Sequence, residues 1–196
     1  MFVNFYNNLK PHSRFAVTGF FSGLACLLLW IDIDDYKLIL TTMPGWLFGL
    51  VFIITLFVKT KLFSLFNLLK ALIWIPVCAV CFLLSVEMVT GDDYGLGIGS
   101  LFADHDLGFF YMAGIAGFIT TFIMLSTFYV LYLAINGVDI IRISTIASVV
   151  SFVGVYFGIS VGIILLYVLY HSIISWCLGA AVMRRLNSLE PQYEVE

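Results

Sequence analysis

A chain of 196 residues with 62% hydrophobic and 11% charged side chains is more apolar than ordinary soluble domains, in which about 45–50% are apolar and about 25% charged. A water-soluble fold of this size cannot hide that much apolar surface, so the composition excludes a soluble globular protein and indicates a lipid bilayer. A net charge of −3 with nine Lys and Arg excludes nucleic-acid binding by bulk electrostatics, which needs clustered cations.

The apolar run Phe15 to Ile31 follows a short basic stretch and has the outline of a signal peptide. It exceeds the usual apolar region of about 7–15 residues and ends in WIDIDD without a small-x-small site. It is therefore read as a retained first span. A hydrocarbon core of ~30 Å needs about 20 apolar residues rising ~1.5 Å each, and three further runs meet that length: Leu38 to Val58, Ala71 to Val89 and Phe109 to Ile135. They lack the alternation of barrel strands, and backbone in hydrocarbon must satisfy its own hydrogen bonds, so they are read as helices.

Between the second and third spans lies KTKLFSLFNLLK, Lys59 to Lys70, where lysines mix with Leu and Phe at helical spacing. It reads as a short amphipathic segment on the cytoplasmic leaflet, basic side chains against anionic lipid. Between the third and fourth spans, a second outer loop carries Asp92, Asp93, Asp104, His105 and Asp106. These donors suit a divalent metal or a recognition surface. YGLGIGSLFA separates the two groups, and no recognised ligand spacing is present, so the metal reading is the weaker.

The fifth run, Ile143 to Met183, is about twice too long for one crossing. Ala147, Ser151, Gly154, Gly158 and Gly162 line one helical face with small residues, which argues for unbroken helix through Gly162 and a turn near Tyr167 to Ser172. A turn around Gly158 to Gly162 would divide the run more evenly. Both readings stay open.

Lys and Arg concentrate in short cytoplasmic loops. With the N-terminus inside and six crossings, Lys10, Arg14, Lys59, Lys61, Lys70, Arg142, Arg184 and Arg185 are all cytoplasmic and only Lys37 lies outside. Five crossings would move Arg184 and Arg185 to the far side. The expectation is thus an all-α polytopic bundle of about six crossings, five being the alternative. Residues 1–196 form one integral membrane domain, with 184–196 as a short polar tail, in a bacterial-type inner membrane with both termini inside.

Gly154, Gly158 and Gly162 form a glycine zipper, and Gly19 with Gly23 and Ala113 with Gly117 repeat its spacing. Such faces let helix backbones approach closely, so these positions are read as helix-packing or pore-lining candidates. Cys78 and Cys81 form CAVC two residues after Pro76, which is expected to kink the third span. Their spacing of three puts both thiols on one face. A redox pair needs an accessible thiolate, and here the run is apolar with no cation close in sequence, so packing is the first reading and thiol oxidation a distant one. Glu87 is expected to reach the headgroups at a span end, and His171 to be neutral and satisfied by a serine or backbone group. Trp30, Trp46, Trp74 and Trp176, with Tyr36, Tyr94 and Tyr111, read largely as an interfacial belt.

No hydrolase elbow, P-loop or arguable catalytic set is present. The leading expectation is a small non-enzymatic protein that binds a membrane partner or an inserting polypeptide, of accessory, immunity or exclusion type, or that self-associates, with no cofactor. One alternative is a channel or transporter for a neutral or lipid-like substrate. A second is a thiol oxidoreductase or metal-dependent membrane enzyme.

Overall fold

The computed structural model describes residues 9–29, 37–60, 64–90, 109–156 and 159–188. The described residues form six helices: α1 (Pro11–Leu29), α2 (Lys37–Thr60), α3 (Leu65–Thr90), α4 (Phe109–Tyr132), α5 (Gly137–Tyr156) and α6 (Ile159–Asn187). Three stretches, Leu65–Val89, Tyr111–Tyr132 and Gly137–Tyr156, are long and apolar enough to cross a membrane. Thr42–Val58 is a shorter apolar helix of the same kind.

Local chemistry sets several helix ends. Pro11 opens α1, where its missing N–H costs nothing. The Ser64 hydroxyl accepts from the Asn67 amide at 3.2 Å and caps α3. At the other tight connection, Leu133 takes a left-handed conformation with φ of 52°, and its amide donates to the Tyr129 carbonyl at 2.8 Å, closing α4. Asn136 Oδ1 then accepts from the Asp139 amide at 2.8 Å and starts α5. α3 continues through Pro76 as one helix.

Successive helices run antiparallel, as the contacts between them show. Phe15 near the start of α1 meets Phe52 in the second half of α2, ring centroids 5.1 Å apart. A Cβ on Gly49 of α2 would lie 3.2 Å from the Ile75 Cα of α3. Tyr132 at the end of α4 donates to the Asn67 carbonyl near the start of α3 at 3.2 Å. Gly117 of α4 abuts Ser151 of α5. Arg184 in the last turn of α6 reaches Asp139 in the first turn of α5. The most extensive pairing joins α1 to α6, so the six helices close into a ring whose seam is the first and last helix.

This order gathers Lys10, Arg14, Lys59, Lys70, Arg142, Arg184 and Arg185 at one end of the bundle and leaves Lys37 and Glu87 toward the other. The core nearer the basic end is aromatic. Phe52 packs on Phe15, Phe48, Trp74 and Phe128 at centroid separations of 5.1, 6.3, 5.6 and 5.9 Å.

Several expectations need correction. The turn expected near 167–172 is overturned: α5 ends at Tyr156, α6 begins at Ile159 and carries Tyr167 to Ser172 within it, and the Arg184–Asp139 pair shows the two helices antiparallel. Of the small face that argued for continuity, Ala147 and Ser151 meet Gly117 of α4, and Gly154 is buried near the end of α5. An early turn also yields two helices of 20 and 29 residues, each long enough to span ~30 Å. Arg184 and Arg185 belong to the last turn of α6 and not to a tail. Trp74 is no belt residue: it is fully buried and its indole N–H donates to the Met124 carbonyl at 3.2 Å. Glu87 is fully buried too, not extended to the surface.

Candidate functional site

Polar side chains inside a membrane bundle are costly to bury and are where function is sought first. Several of them, Ser22, Thr121, His171 and Ser175, gather with Tyr170 around the middle of α6. Tyr170 and His171 are adjacent, so they leave the helix about 100° apart, the angle set by ~3.6 residues per turn. Tyr170 shares a hydrogen bond of 2.6 Å with Thr121 of α4. His171 Nδ1 and the Ser22 hydroxyl of α1 lie 3.2 Å apart, a serine being one of the two kinds of partner expected from sequence. Phe48 of α2 and Phe82 of α3 present rings to the imidazole at centroid separations of 5.2 and 6.3 Å. Four other helices therefore contact these two residues.

Close backbone approach makes this arrangement geometrically feasible. A Cβ on Gly19 would strike the His171 carbonyl oxygen and come within 2.8 Å of the Ser175 hydroxyl. A turn or two along, Gly179 of α6 receives the Phe15 ring. Glycine at these two points sets the depth to which α1 sinks against α6. Gly23 is buried on the same helix.

Cys78 and Cys81 are both buried on one face of α3, as their spacing implies, and both are free thiols. Gly45 meets the Cys78 carbonyl and Gly49 its side chain, a Cβ there falling 3.3 Å from Sγ. Cys78 thus fills the α2–α3 contact, and Cys81 belongs to the buried apolar core. Cys26 donates to the Ser22 carbonyl at 3.0 Å, and Cys177 is half-buried.

Of the remaining sequence candidates, Gly154 is buried at the end of α5 and Gly162 lies in the first turn of α6. Gly158, Asp92, Asp93, Asp104, His105 and Asp106 lie outside the described residues. Among the described residues no three His, Cys, Asp or Glu side chains are grouped to hold a metal ion.

Sequence reasoning missed Gly45, Gly49 and Gly179, although Gly45 and Gly49 carry the same spacing of four that singled out Gly19 and Gly23. The Tyr170–Thr121 and Arg184–Asp139 pairs, 49 and 45 residues apart, left no local signal. Compared with protein-family models, curated proteins and solved structures, the chain matches none.

Proposed function

We propose that this chain is a polytopic membrane protein that crosses six times, with its basic end and both termini in the cytoplasm of a bacterial-type cell. It acts by binding another membrane protein or an inserting polypeptide, without catalysis. The basic end fits the cytoplasmic bias of Lys and Arg. The observation that carries the binding reading is the filled interior: Phe15, Phe48, Phe52, Trp74 and Phe128 interlock from α1, α2, α3 and α4 and are buried. A conducting path needs room that such packing does not leave, so the channel and transporter alternative is less favoured. The Cys78 thiol is packed against Gly49 and Cys81 is buried, which gives the oxidoreductase alternative little support.

Binding would then use outward surfaces, chiefly the anionic connection between α3 and α4, whose sequence also holds Leu101 and Phe102. A photoreactive residue at either position, activated in cells, is expected to capture one specific protein. Lipid adducts alone would overturn the binding reading, as would solute flux through reconstituted vesicles above that of empty ones.

A further inference from the structure

α3 contains 26 residues, a length of about 39 Å at ~1.5 Å per residue, which exceeds a hydrocarbon core of ~30 Å. The excess lies at its start. Ala71 is the first buried residue, and nothing from Ser64 to Lys70 is buried. Leu65 is 76% and Phe66 68% exposed, with Leu68 and Leu69 exposed beside them. Once Ala71 to Thr90 fills the apolar core, this opening segment stands at headgroup depth.

Its one cation is held in place. The Lys70 ammonium lies 4.5 Å from the Phe66 ring centroid and 5.5 Å from that of Tyr132, and Tyr132 is tied to the Asn67 carbonyl. Aromatic faces attract an ammonium without neutralising it, so its charge remains available to an anion. Lys10, Arg142, Arg184 and Arg185 occupy the same end of the bundle and are exposed. Among the described residues, the carboxylate at that end is Asp139, which Arg184 already engages.

We propose that the start of α3 is a contact site for anionic phospholipid. Lys70, at the edge of the apolar core and supported by the cations of the same end, holds the headgroup, while Leu65, Phe66 and Leu69, farther out along the helix, pack in the interfacial layer. Apolar side chains beside a fixed cation are the combination by which amphipathic segments bind anionic leaflets. The site rests on the membrane reading and is independent of any protein partner.

Thermal unfolding of the full chain in detergent, titrated with phosphatidylglycerol or phosphatidylcholine, tests it. Phosphatidylglycerol is expected to raise the transition temperature saturably and phosphatidylcholine not to. Lys70→Gln should weaken the apparent affinity about fivefold, Lys70→Arg should retain it, and Lys37→Gln at the opposite end should leave it unchanged. In cells, a photoreactive residue at position 66 should capture phospholipid. Equal responses to the two lipids would overturn the site. So would undiminished affinity in Lys70→Gln, or capture of a protein or a second copy of this chain from position 66.

Discussion

Arg184 donates to the Asp139 carboxylate across 2.7 Å and thereby joins the last turn of α6 to the first turn of α5. The two partners are unequally placed, since the Arg184 side chain is 61% exposed and that of Asp139 only 10%. Solvent at Arg184 limits the attraction to about 0.2–1 kcal/mol, while Asp139 also gains from the amide dipoles at the α5 start, about 0.3–1 kcal/mol. Asp139→Ala should therefore cost more stability than Arg184→Ala. A double-mutant cycle on denaturant unfolding in detergent checks this, and the coupling should shrink in high salt. Equal losses from the two single variants would contradict the account.

Leu133 holds φ at 52°, a conformation costing roughly 1–2 kcal/mol for a residue with a Cβ. Its side chain is exposed and adds little packing at the turn. Leu133→Gly should raise the thermal transition, by about 1 kcal/mol, and Leu133→Val should lower it. A Gly variant less stable than the parent would show that the exposed leucine matters more than its backbone.

Two glycines give opposite expectations. At Gly19 a Cβ would collide with the backbone of α6, whereas at Gly137 it would meet nothing within 4 Å. Gly19→Ala should force α1 and α6 apart at a cost of about 1–3 kcal/mol. Gly137→Ala should be neutral or stabilise by up to about 1 kcal/mol through the unfolded chain. Unfolding midpoints of the two variants, measured side by side in detergent, decide it.

Maleimide labelling under native conditions should find one of the four cysteines, Cys177, well before Cys26, Cys78 and Cys81. Burial of the other three inside helix contacts requires local unfolding before reagent can reach them. Mass spectrometry of the timed products reads the order. Early modification of Cys78 or Cys81 would reopen the thiol chemistry that their spacing suggests.

The helical class was legible because bilayer thickness dictates run length, and α2 and α4 begin within a residue of the runs at 38–58 and 109–135, whereas α3 begins at Leu65, ahead of the run at 71–89, and takes in residues read from the sequence as a separate amphipathic segment. The long fifth run was harder. Small residues at Ala147, Ser151 and Gly154 suit tight packing and say nothing about where packing stops. Trp74 and Glu87 misled for a related reason: both stand where a span end was expected, yet side-chain direction toward or away from the bundle decides burial. For His171 the sequence implies a serine or a backbone group as partner; that it is Ser22, 149 residues away, depends on which helices become neighbours. The candidate acidic cluster, Asp92 to Asp106, falls outside the described residues.

The ring seam between α1 and α6 also has consequences for biogenesis. If all six helices cross as proposed, α1 finds its principal companion only after α6 has been synthesised, so Ser22 and the Gly19 surface would face lipid or an insertase throughout translation. Long sequence separation of this kind slows closure. Ribosome-stalled chains lacking residues beyond 158 should be more protease-sensitive in α1 than finished ones. An insertase that shelters this helix until release would have an extended hold on the nascent chain.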